Sequence, residues 1–290
     1  MNINPIDNAP KDFGALVTDF KITDASGDDI EQLTQAINRY AVLVVPGQVI
    51  DDKQQFAFSE KFGPTERATG DINQHSDRRL PMEVNDISNL DRSGQVRTRD
   101  DRARLFGLGN MLWHSDSSFK THAAQLSLLS ARVVPDSGGN TEFADMRSAW
   151  SLLDDKTQQE CLNLTCMHSQ IYSRGQLGFD DFTDEERAKW APVEHPLVRL
   201  HPDTQVPSLF LSSHIGDIAG WPMPEARLFI RDLTEFATQP QFVFAHQWTQ
   251  WDLVIWDNRA TMHRARRYDY TQARDLHRTT VEGGPTVAYR

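Results

Sequence analysis

Four consecutive residues, Trp113-His114-Ser115-Asp116, offer the sharpest local chemistry in the chain. On an extended segment, residues i and i+2 share a face, so the His114 imidazole and the Asp116 carboxylate would point the same way. On a helix the two would diverge by roughly 200°, given 3.6 residues per turn. The apolar entry Met111-Leu112-Trp113 and the later Phe119 favour a strand over 111–116 that runs out into a loop. A histidine and a carboxylate on one face supply two of the three ligands a metal needs. The tripeptide alone is a weak signal, since its commoner fate is a hydrogen-bonded surface pair.

The far end of the chain supplies a third candidate. Leu253-Val254-Ile255-Trp256 reads as a buried strand ended by the turn pair Asp257-Asn258, and His263 follows. An isolated histidine after a strand is more often packed or solvated. Brought to His114 and Asp116, however, it would complete a two-histidine, one-carboxylate face with open coordination positions, the geometry of non-haem Fe(II) oxygenases. Six arginines and no lysine follow between 259 and 278: Arg259, Arg264, Arg266, Arg267, Arg274 and Arg278. Arginine is favoured over lysine where a planar carboxylate is held by two parallel bonds. Arg274, Leu276 and Arg278 share one parity, and Thr279-Thr280-Val281 favours a strand, which would turn both guanidinium groups inward. Helical i, i+4 spacing would align them too. The crowded Arg264, Arg266 and Arg267 read instead as a solvated basic face.

The elements that must position these residues are mostly short strands. A helix is expected over 28–40 from Ile30, Leu33, Ile37 and Tyr40, then a buried strand over 41–45 ended by Pro46-Gly47. Asp51, with Gln54 three residues on, begins a second helix that stops at Gly63-Pro64. Residues 67–109 are polar and aperiodic and read as a long irregular insertion at the active site. Strands are then expected at 125–130, 196–200, 208–212, 242–246, 253–257 and 277–281, with helices at 147–153, 156–164 and 224–237. In the last helix Leu228, Phe229, Leu233 and Phe236 form the predicted buried stripe. Spaced short strands with intervening helices imply a mainly β chain with flanking helices, a sandwich or barrel in a single domain over 1–290.

Composition narrows the classes. The 290 residues carry 41 acidic and 30 basic side chains, a formal charge of -11, which disfavours nucleic acid and anionic membranes as partners. The longest apolar run, over 41–45, is far too short for a membrane span. The opening residues lack the basic and apolar regions of a secretory leader, and two cysteines, Cys161 and Cys166, make no disulfide framework. A cytoplasmic protein is expected. A homo-oligomer is compatible with the sequence, which does not fix the assembly.

Taken together, the residues resemble the Fe(II)/2-oxoglutarate-dependent dioxygenases of the taurine dioxygenase family, especially the branch that cleaves phenoxyalkanoate herbicides such as 2,4-dichlorophenoxyacetate. The resemblance runs through Gln55-Phe56-Ala57-Phe58-Ser59, Phe62-Gly63-Pro64, the 112–119 segment and Ser137-Gly138-Gly139-Asn140-Thr141-Glu142-Phe143. It continues through Trp256-Asp257-Asn258-Arg259 and His263-Arg264 to Arg274 and Arg278. Thr141 lies 27 residues after His114, and Arg274 and Arg278 lie 11 and 15 after His263, as in the family pattern. The resemblance implies a double-stranded β-helix (jelly-roll) core with His114, Asp116 and His263 binding Fe(II). It implies Arg274 and the Thr141 hydroxyl on the distal carboxylate of 2-oxoglutarate, with Trp256 lining that pocket. Arg278, near Asn110, would meet the acidic group of a small anionic organic substrate, and His201 and His214 would contact substrate as well. The implied reaction consumes O2 and 2-oxoglutarate, releases succinate and CO2, and hydroxylates the carbon beside an aryl ether oxygen. The resulting hemiacetal falls apart to a phenol and a 2-oxo acid such as glyoxylate. A carboxylate at 116 leaves no iron position for halide, so halogenation is disfavoured.

Within the family, taurine, alkylsulfonates and other small acids are alternative substrates. A zinc-type hydrolase could use the same three ligands, but no H-E-x-x-H motif or evident general base accompanies them. A non-catalytic jelly-roll binding module would have no need of the three ligands together with the arginines.

Overall fold

The computed structural model describes residues 1–68 and 78–290. Its largest sheet has seven strands, in the order Asn2–Pro5, Ala15–Thr18, Val42–Val45, Leu253–Asp257, Ala124–Val133, Asp275–Glu282 and Asn85–Ser88. All neighbours are antiparallel except Ala15–Thr18 with Val42–Val45. A three-stranded antiparallel sheet, Val243–His246, Thr141–Asp145 and Thr261–Ala265, packs against it.

Alternation along the strands builds both faces of the large sheet. Val42, Val44, Val254, Trp256 and Leu276 point inward and pack on Phe143 and Phe244 of the smaller sheet. Their neighbours Leu43, Val45, Leu253 and Ile255 point outward onto the helix Gly27–Tyr40 and onto Phe58. That helix begins one residue before the predicted span and has a reciprocal cap in which Ser26 and Asp29 satisfy each other's backbone N–H groups. Asp51 and Gln54 cap the helix Asp52–Ser59 in the same way, as expected. A second core lies under the helix Met223–Ala237, whose Ala226, Ile230, Leu233 and Ala237 are buried. Leu228 is half exposed, so the predicted stripe is rotated by part of a turn. Further strands, Thr165–His168, Val193–Pro196 and Ile215–Ile218, form a three-stranded sheet that joins this core. The predicted strand over 196–200 is interrupted at Leu197 between Val193–Pro196 and Val198–Leu200.

Two expectations need correction. The 111–116 segment is not a regular strand: a 3-10 turn, Leu108–Met111, leads into a single bridge in which His114 and His263 exchange backbone hydrogen bonds of 3.0 and 2.8 Å. The 67–109 insertion is not wholly irregular. It holds the edge strand Asn85–Ser88 and the helix Arg102–Gly107, capped by Asp101; residues 69–77 lie outside the described residues. Among the described residues no helix is long and apolar enough to cross a membrane. Cys161 and Cys166 are free and buried, and burial pushes both thiols up to about 12.

Candidate active site

The His114–His263 bridge is what unites the two ends of the predicted site. Ligating atoms of His114, Asp116 and His263 all fall within 4.8 Å of one another, and all three residues are buried. The imidazole Nε2 atoms lie 3.9 Å (His114) and 3.7 Å (His263) from the Asp116 carboxylate. The backbone oxygen of Leu112 accepts a 2.7 Å bond from His114 Nδ1, which fixes the proton there and leaves Nε2 with a free lone pair. His263 packs its ring 4.7 Å from Trp256, and its Nδ1 has no hydrogen-bond partner.

Asp116 is aimed by contacts rather than by strand alternation. Ser117 takes a left-handed conformation (φ 54°) just after it, bending the chain away. Asn258 Oδ1 accepts from the Asp116 backbone N–H (3.2 Å) and from Trp256 Nε1 (3.0 Å). Asn258 Nδ2 donates to Ser127 Oγ, which in turn donates to Asp116 Oδ2 at 2.7 Å. Asn258 was legible only as a turn residue, yet it braces a carboxylate 142 positions earlier.

The charges suit a divalent cation. Burial opposes ionisation of Asp116, but the charge of Arg278 and the bond from the Ser127 hydroxyl outweigh it and hold its carboxyl below the usual range. Burial keeps His114 and, more strongly, His263 neutral; the neighbouring Asp116 does not reverse this. One ionised carboxylate with two neutral imidazoles, one carrying an unsatisfied buried nitrogen, is a donor set fit for Fe(II).

Two cavities that share part of their walls lie near this cluster. The larger, about 190 Å³, is walled by Arg274, Arg278, Arg174, Tyr268, Phe106 and Met111 among others. The smaller, about 50 Å³, reaches His114 and Asp116 and shares Asn110, Arg174 and Arg278 with the first. Arg274 is buried and makes only long bonds to neutral acceptors, 3.2 Å to the Gly139 oxygen and 3.5 Å to the Ile87 oxygen. No carboxylate among the described residues pairs with it, and burial pulls its pKa down. Gly139, at φ 67°, makes room for it, since a Cβ there would lie 3.3 Å from Arg274 Nε. Arg278 donates through Nη1 to Asp116 Oδ1, the ligand carboxylate.

The remaining predicted residues are distributed unevenly. Asn110 lines both cavities, and His214 lines the smaller one with its ring 6.2 Å from that of His114 and its Nδ1 unpartnered. Thr141 is buried and accepts from Trp248 Nε1 at 3.0 Å, which leaves its own proton free to donate. Trp256 is fully buried, wedged between His263 and Phe143 behind the ligands, and is not on the wall of either cavity. The structure does not bring His201 to the site. Its Nδ1 accepts from the Asp203 and Thr204 backbone, and its Nε2 bonds Asp257 at 2.9 Å, on the opposite side of the Asn258 turn. Arg264 and Arg266 pair with Glu142 at the surface of the smaller sheet, consistent with a solvated basic face. Sequence reasoning missed Arg174 and Trp248, which sit outside any recognisable spacing pattern.

Comparison with known proteins agrees with this geometry. The chain is 41% identical over 270 residues to the alpha-ketoglutarate-dependent 2,4-dichlorophenoxyacetate dioxygenase of Cupriavidus pinatubonensis, covering 93% of this chain and 94% of that one. It is 35% identical to the (S)-phenoxypropionate/alpha-ketoglutarate-dioxygenase of Sphingobium herbicidovorans, covering 96% of each. The crystal structure of AAD-2 in complex with Mn(II) and N-oxalylglycine superposes with a TM-score of 0.94 at 48% identity, covering 99% of both chains. Such likeness over the whole length establishes the jelly-roll architecture of the strand-rich core. Residues 2–280 match the model of one family, and the chain belongs to it: the taurine catabolism dioxygenase TauD, TfdA family.

Proposed function

We propose that the protein is an Fe(II)- and 2-oxoglutarate-dependent dioxygenase of aryloxyalkanoates, acting at the carbon next to the ether oxygen. The observation that carries this reading is the buried His114, Asp116 and His263 cluster, whose small adjoining cavity shares Asn110 and Arg278 with a larger one walled by the buried Arg274, a guanidinium with no carboxylate of its own among the described residues. The substrate class follows from the likeness to the phenoxyalkanoate enzymes. His114, Asp116 and His263 would hold the iron, which supplies the means of activating O2. Arg274, with the Thr141 hydroxyl, would hold the distal carboxylate of 2-oxoglutarate and orient its keto acid end toward the three ligands. Arg278 and Asn110 would receive the carboxylate of the aryloxyalkanoate. His214 and Phe119, with rings 5.0 Å apart, would narrow the approach to the ligands.

The overall balance is 2-oxoglutarate, O2 and the ether acid going to succinate, CO2 and a hemiacetal that collapses to a phenol and a 2-oxo acid. The acidic composition fits an enzyme working on a freely diffusing acid rather than on nucleic acid or an anionic membrane. A succinate-release screen with Fe(II) and 2-oxoglutarate over phenoxyacetates, both enantiomers of phenoxypropionates, and taurine tests the reading. Phenol release coupled to succinate with an aryloxyalkanoate is expected. Turnover of taurine with none of the aryl ethers would overturn the substrate class.

A further inference from the structure

Arg278 is already matched by a charge, the Asp116 carboxylate. Arg174 is not. It stands on the short helix Gln170–Gly175, is 5% exposed, and forms part of the wall of both cavities. Nη1 donates to Ser173 Oγ at 3.0 Å, Nε has no partner, and no carboxylate among the described residues pairs with the group. Its plane packs 4.5 Å from the centre of the Phe106 ring. Burial, and next the charge of Arg278, pull its pKa down to about 10, so the two guanidinium groups repel each other while no acid among the described residues offsets Arg174. Of the two acids on the smaller cavity's wall, Asp116 is engaged by Arg278, and Glu66 by Lys120 and Ser117 Oγ. The fold nevertheless keeps space for Arg174. At Gly109, in the turn that carries Asn110, a Cβ would overlap the guanidinium carbon and two of its nitrogens.

A buried cation with unspent donors, opening into a cavity beside a second cation, is a site for an anion. We propose that Arg174 forms, with Arg278, a two-guanidinium clamp for the carboxylate of the organic substrate, and that Gly109 is required because any side chain there displaces the clamp. This deepens the aryloxyalkanoate reading and rests on it for the identity of the acid. Arg278 alone, while bonded to Asp116, offers that carboxylate only its remaining donors; Arg174 supplies a second planar fork and the charge balance.

The test is equilibrium binding to protein loaded with Mn(II) and N-oxalylglycine, which together keep the site charged and unreactive. Phenoxyacetate, its neutral analogue phenoxyacetamide, and benzoate are titrated into the wild type, Arg174→Gln, Arg174→Lys and Gly109→Ala. Loss of one charge-assisted contact predicts a Kd for phenoxyacetate about 10- to 100-fold weaker in Arg174→Gln. Phenoxyacetamide and N-oxalylglycine should bind that variant as they bind the wild type. Arg174→Lys should recover part of the loss, and Gly109→Ala should reproduce it with the guanidinium still present. Equal weakening of the acid and the amide would mark a packing role and overturn the clamp, as would no weakening at all. Wild-type protein that ignores phenoxyacetate but binds benzoate in an Arg174-dependent way would overturn the aryloxyalkanoate reading and keep the clamp. Failure to bind either organic acid would overturn the clamp.

Discussion

Arg274→Ala isolates the cosubstrate contact. Among the described residues its guanidinium reaches two backbone oxygens, at 3.2 and 3.5 Å, both long and neutral, and no carboxylate compensates its charge. A carboxylate arriving there forms a charge-assisted pair in a water-poor site, worth about 1.5–3 kcal/mol net. That corresponds to a rise of about 10- to 150-fold in the apparent KM for 2-oxoglutarate. The assay is steady-state succinate release at saturating aryloxyacetate with 2-oxoglutarate varied. The same geometry makes a second, less intuitive forecast. Removing a buried, unpaired cation relieves its desolvation, so the ligand-free variant should melt no lower than the wild type. The extra stability conferred by 2-oxoglutarate, fully present in the wild type, should shrink in step with the affinity. Arg274→Lys, which keeps the charge but not the fork, should fall between the two. An unchanged KM for 2-oxoglutarate, or an equal rise in KM for the aryl ether acid, would refute the assignment of Arg274 to the cosubstrate.

Three further outcomes are expected. His114→Ala should abolish turnover and metal binding while leaving the far-UV circular dichroism of the wild type, because its side chain makes a single local bond, to Leu112; normal iron-dependent activity would remove it from the ligand set. Asn258→Ala should weaken Mn(II) binding about 10- to 100-fold, since the Asp116 backbone and Ser127 lose their brace, and an unaltered Mn(II) titration would disprove that support. His277 bonds Asp275 and Asp52. Burial lowers its pKa, but those two bonds and charges win, so its folded pKa is raised. The stability it contributes is therefore complete below the unfolded value and lost as pH climbs through the folded one. Urea midpoints should fall as pH rises above about 6.5, less steeply in His277→Gln, and identical slopes would sink the linkage.

The fold was legible where hydrophobic alternation or capping chemistry is local. Leu253–Asp257 and the capped helix at Asp52 are written in adjacent residues, and the structure reproduces them. The His114, Asp116 and His263 cluster was legible through the family resemblance rather than from the weak local tripeptide, and the strand expected to align two of its members is replaced by a turn and a single bridge. What stayed hidden depends on distant partners. Thr261–Ala265 is a strand because it pairs with Thr141–Asp145 and bridges to His114, not because of its own pattern. His201 has the composition of a site residue, and only the position of Asp257 reveals that its imidazole is spent on bracing a turn. Arg174 shows the converse: a residue in an unremarkable helix gains its meaning from a glycine 65 positions earlier.

The strand Asp275–Glu282 lies inside the large sheet, between Ala124–Val133 and Asn85–Ser88, though it comes last among the strands in the chain. Its insertion requires contacts that close very long loops, which makes it a slow event in folding. Until it docks, Asp116 has no guanidinium beside it. A half-folded chain would thus hold the three candidate ligands without the Arg278 charge beside Asp116, and with Arg274, which directly precedes the strand, not yet anchored.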